Sequence, residues 1–72
     1  MKTLVNVMKM ENFNKIEMFQ RGNTVHLNGD YPLPTKEEFD SFEEAKAFMR
    51  GFKWAVIYYG GSCGTYMKEV EI

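Results

Sequence analysis

The sequence predicts an α+β domain: a mainly antiparallel sheet of about five strands with one amphipathic helix packed on one face, in the order β-β-β-α-β-β. Three observations predict it. Residues 15–29 alternate around a Gly22-Asn23 pair, as a two-residue hairpin does. Residues 41–52 repeat apolar side chains at helical spacing behind a capping sequence. Finally, WAVIYY at 54–59 and TYMKEVEI at 65–72 are rich in β-branched and aromatic residues and flank Gly-Gly-Ser-Cys-Gly.

Residues 3–9 are apolar and β-branched enough for a first strand, and Glu11, Asn12, Phe13 and Asn14 supply a turn. In the hairpin that follows, Gly22 takes a positive φ at little cost. A two-residue turn there places Arg21 opposite Thr24, Phe19 opposite His26 and Met18 opposite Leu27. One face then carries Ile16, Met18, Val25 and Leu27, which belong to the core. Pro32 and Pro34 keep residues 31–34 out of regular structure.

The helix starts at a capping box, Ser41 with Glu44, and Thr35 with Glu38 offers an earlier, shorter start. Phe42, Ala45, Phe48, Met49 and Phe52 form its apolar stripe, and Gly51 is expected to end it. Residues 54–59 read as a central strand covered on both faces. A loop at 60–64 then folds the last strand back, pairing Tyr58 with Tyr66 and Ile57 with Met67.

Seventy-two residues make a single domain, residues 1–72, with one core. A chain this short buries only roughly 60 % of its unfolded surface, so it needs a staple, a partner or dense packing. One cysteine closes no internal disulfide, and one cysteine with one histidine fills no structural zinc site. No cofactor is implied. Six Phe, four Tyr and one Trp make dense aromatic packing credible, and association is the other stabiliser.

The net charge of −1 lacks the basic field of a protein that coats DNA. MKTLVNVMKMEN is too polar for a signal-peptide core, and no apolar run approaches a membrane span. With a lone free thiol, these features read as a soluble, cytoplasmic protein without a membrane partner. The abundance of Asn, Lys, Glu, Phe and Ile suits an AT-rich bacterium or its phage. FDSFEEAKAFMRGF is similar to the helix of the small hybrid-binding domain of ribonuclease H proteins, as a generic amphipathic helix would be, and carries no residue role across.

Catalytic chemistry is poorly served. Cys63 lacks an adjacent base, cation or helix N-terminus to lower its pKa, so its glycines read as a turn. Gly60, Gly61 and Gly64 lack phosphate-loop spacing. The carboxylates between Glu37 and Glu44 read as a solvated helix start, without the ligand alternation of a calcium loop. The more informative set is aromatic. Alternation puts Phe19, His26, Trp54, Val56, Tyr58 and Tyr66 on the sheet face away from the helix, extended by Leu4, Met8 and Met10.

The expectation is therefore a small non-enzymatic binding or inhibitor protein, of the kind carried by phages and mobile elements. It docks this aromatic face on a larger protein or on a second copy as a homodimer, with Trp54, Tyr58 and Tyr66 as anchors and Phe19 and His26 extending the patch. The alternatives are a single-stranded nucleic-acid-binding module using the same aromatics, and a thiol-dependent activity at Cys63.

Overall fold

The computed structural model describes residues 1–29 and 35–71. They form β1 (Lys2–Glu11), β2 (Lys15–Arg21), β3 (Thr24–Gly29), β4 (Lys36–Glu38), α1 (Phe42–Tyr58) and β5 (Ser62–Glu71). The five strands make one antiparallel sheet in the order β4-β3-β2-β1-β5, with α1 packed across one face. The α+β class, the five strands and the single helix agree with the sequence. Their order along the chain differs: four strands precede the helix and one follows it.

The β2–β3 hairpin has the expected register, with Arg21 opposite Thr24, Phe19 opposite His26 and Met18 opposite Leu27. Its turn confines positive φ to Gly22, at 59°, while Asn23 stays at negative φ, the type II′ pattern. The early helix start at Thr35 is replaced by strand. Residues 36–38 pair with β3, and two further bonds flank that ladder: Leu27 N–H donates to the Thr35 carbonyl at 2.8 Å and Phe39 N–H to that of Asn23 at 2.9 Å. The expected irregular stretch at 31–34 lies outside the described residues.

Ser41 caps α1 as expected, its Oγ accepting from Glu44 N–H at 3.1 Å. The Glu44 carboxylate reaches back to Asp40 N–H at 3.3 Å, one residue before the usual partner of a capping box. The helix does not end at Gly51. It runs on to Tyr58, so residues 54–59, read as a central strand, are mostly helical. Val56 extends the stripe of Ala45, Phe48, Met49 and Phe52 at the same spacing and packs on the same core. That burial outweighs the roughly 1 kcal/mol that an interior glycine costs.

Gly60 and Gly61 are the real stop. Gly60 sits at φ 88° and donates to the Ile57 carbonyl at 3.0 Å, and Gly61 donates to that of Val56 at 2.9 Å. These paired bonds form a Schellman motif. Gly61 also passes so close to Val56 and to the Glu11 carbonyl that a Cβ would sit 2.5 Å from Val56 Cγ1. Ser62, Cys63 and Gly64, read as loop, begin β5. The expected pairs of Tyr58 with Tyr66 and Ile57 with Met67 do not form. Instead β5 runs the full length of β1, from Lys2 opposite Glu71 to Glu11 opposite Ser62.

Met10, Ile16, Met18, Val25, Leu27 and Ala45 form the buried core between sheet and helix. Met8 and Met10 pair with Met18 and Ile16, which turns them towards the helix rather than onto the open face. Leu4 shares their parity on β1 and lies on the helix side beyond the helix.

Candidate binding surface

The five residues expected to make one aromatic face occupy two. Phe19, His26 and Tyr66 lie on the open side of the sheet, by their pairing with one another and with Val7. Trp54 and Tyr58 are four residues apart on α1, exposed and on the opposite side of the molecule. The single sheet-borne patch is therefore corrected: the strand that was to carry its anchors is the second half of the helix.

On the open face the Phe19 and His26 rings stack in parallel, 4.6 Å apart at 4°. Desolvation under that ring, with Lys36 and Arg21 nearby, holds the imidazole below its ordinary 6.5. Beside the stack, Lys68 Nζ of β5 reaches across β1 to Glu17 Oε2 of β2 at 3.0 Å. That hydrogen bond, helped by Tyr66 and Lys9, keeps the Glu17 carboxyl below 4.5 despite partial burial. The same carboxylate raises Lys68 above its ordinary 10.5. Val7 is buried beneath these groups. The charged groups of this face thus largely satisfy one another, and its hollows are a pocket of about 90 Å³ beside the stack and a polar one of about 200 Å³ lined by Lys15, Glu17, Asn28 and Gly29.

An apolar groove lies on the helix side of the sheet, at the C-terminal end of α1. Phe13, in the β1–β2 turn, is 95 % exposed, and Tyr59, at the end of α1, is 74 % exposed. Together they rim a groove of about 280 Å³ floored by Met10, Ile16, Phe52 and Val56. Tyr58 meets Tyr59 edge-on at 5.2 Å, and Lys53 lies over the Trp54 ring at 5.3 Å. The helix C-terminal half thus presents Trp54, Tyr58 and Tyr59, all exposed, beside an apolar groove. Phe13 and Tyr59 were missed as site residues because one reads as a turn residue and the other as an interior strand position. Continuing the helical stripe past Gly51 is the signal that finds Tyr59.

Cys63 is partly buried against the core, on the helix side opposite Met10. His26 is on the other side of the sheet, so the two cannot act as a thiol–imidazole pair. Among the described residues, no three His, Cys, Asp or Glu side chains converge as metal ligands, and no helix is long and apolar enough to cross a membrane. Compared with known proteins, the chain matches no family model, no curated protein and no solved structure.

Proposed function

We propose that this domain is a non-enzymatic binding protein that docks on a larger protein through the groove between the β1–β2 turn and the end of α1. The observation that carries the reading is the pair of exposed aromatics, Phe13 and Tyr59, around a groove whose lining is apolar except for Asn12 and Asn14. Free monomers rarely leave such a surface uncovered, and Tyr and Trp are leading anchor types. Occlusion of the partner, as an inhibitor from a phage or other mobile element would use, needs nothing more. A cytoplasmic setting suits its lone thiol.

The test compares capture from host lysate by the wild type, by Phe13→Ser/Tyr59→Ser and by Tyr66→Ser. A stoichiometric protein held at high salt, lost in the groove double variant and kept by Tyr66→Ser, is the expected result. Binding unchanged in a folded double variant sinks it.

A second reading rests on the parallel Phe19–His26 stack with Arg21 and Lys36 beside it, an arrangement on which a nucleic-acid base can stack. It predicts capture of single-stranded nucleic acid that weakens steeply as salt rises and is lost in Phe19→Ala.

A further inference from the structure

The two edges of the sheet are unlike. β4 is three residues long, Lys36-Glu37-Glu38, short and charged as protected edges are. β5 is ten residues long, is hydrogen-bonded on one side only, and holds no charge between residues 62 and 67. It contains no proline, and its pairing with β1 runs unbroken over all ten positions, without a bulge. Between residues 62 and 67 none of the devices that blunt an edge strand is present, the charges of β5 being confined to Lys68, Glu69 and Glu71, and a row of backbone donors and acceptors faces outward.

We propose that β5 pairs antiparallel with β5 of a second copy of this chain, about a two-fold axis at Met67, joining two five-stranded sheets into one. Side chains opposite each other in such a pair share a face, so the axis falls on a residue. Charge excludes an axis at Lys68 or Glu69, and the pairings on the two faces favour Met67 as that residue. An axis at Lys68 sets two ammonium groups directly opposite each other. An axis at Met67 sets Tyr66 against the partner copy's residue 68, a lysine, and Thr65 against its residue 69, a glutamate.

On the helix side, the sheet pairs Thr65 with Met8, and Met8 lines a cleft of about 400 Å³ walled by Lys46, Arg50 and Lys53. These three cations form no ion pair among the described residues, and neither does Glu69. The Met67 register brings the acid of each copy to the strand beside the basic wall of the other. On the open side it sets Val70 over Gly64, where nothing lies within 4 Å of the position that a Cβ would take. Met67 itself, 56 % exposed on the monomer, is covered by its own copy. The groove rimmed by Phe13 and Tyr59 stays open, so this interface and that docking site stand or fall separately.

The experiment is sedimentation equilibrium of the full chain combined with cysteine cross-linking. The wild type is expected to dimerise, and Met67→Lys, at an exposed position, to keep the wild-type circular dichroism while associating roughly tenfold more weakly or worse. In a Cys63→Ser background, Met67→Cys is expected to form a disulfide-linked dimer under mild oxidation. Leu4→Cys, exposed on the same side but one strand inward, is expected to form no disulfide-linked dimer. A wild type that stays monomeric, a dimer indifferent to Met67→Lys, or faster linking through Thr65→Cys or Leu4→Cys than through Met67→Cys each overturns the proposal.

Discussion

β1 belongs to two different environments. Residues 8–11 pair with β2 on one side and β5 on the other, beneath the helix, and Met10 is fully buried there. Residues 2–7 pair with β5 alone, and on the helix side Leu4 is 59 % exposed. Local composition does not separate these halves on the helix side, since Leu4 is as apolar as Met8 and Met10; Val7 is buried on the open side instead. Cover does. The 17-residue helix spans about 25 Å and lies over β2, β3, the lower part of β1 and the start of β5, leaving the ribbon of residues 2–6 and 65–71 bare on that side. Stability is concentrated in the covered half, and the ribbon is left free to associate.

The strongest test of that contrast is a matched pair of truncations. Met18→Ala empties a fully buried site and is expected to cost about 2–5 kcal/mol, much of the roughly 4–11 kcal/mol available to a chain this size. Leu4→Ala is expected to stay within about 0.5 kcal/mol. Urea midpoints of the two variants decide it, and equal losses would erase the distinction.

Next in size is Gly61→Ala, at the joint where α1 hands over to the ribbon. The added methyl meets Val56 Cγ1 at 2.5 Å and the Glu11 carbonyl at 2.8 Å, so a loss of about 1–3 kcal/mol is expected. A neutral result would mean the joint opens freely.

Two helix variants tune the cover itself, in opposite directions. Ser41→Ala removes the Oγ that accepts from Glu44 N–H and is expected to cost about 1 kcal/mol. Gly51→Ala adds a methyl into open space at negative φ and is expected to stabilise by about 0.5–1 kcal/mol. Thermal melts of the two should move to opposite sides of the wild type.

The smallest effect concerns the bridge between the halves, Glu17 on β2 with Lys68 on β5. Because the folded Glu17 lies below its ordinary 4.5, the unfolded chain binds the proton more readily. The bridge therefore stabilises fully above 4.5 and fades as pH falls through the folded value. Both groups are partly exposed to solvent, which keeps the contribution small. Glu17→Gln should flatten that part of the acid-unfolding profile. An unchanged profile would show that the bridge contributes nothing.

The elements legible in the sequence are those set by neighbours in the chain. Gly22-Asn23 dictates the β2–β3 register because a two-residue turn leaves no slack, and the pairing of Phe19 with His26 follows from it. Ser41 and Glu44 mark the helix start because a cap is a contact three residues long. The misread segment, WAVIYY, satisfies two periods at once. Taken alone it has the β-branched and aromatic content of a strand. Taken with Phe48 and Phe52 it continues a helical stripe, in which Val56 is the next inward position. The candidate site suffered most from this, since two of its five residues stood on that segment.

The sequence by itself determined the α+β class, one hairpin in its register, the helix start and most of the core. Each of these depends on contacts within a few residues or on a periodicity that any core would enforce. Only the tertiary structure decided that the helix continues through Gly51, that β5 pairs with β1 almost seventy residues away at its far end, and that Phe13 and Tyr59 share a groove. Those outcomes turn on which surface is available to cover an apolar stripe, and a strand or helix half meets that surface only after the rest of the chain has folded around it.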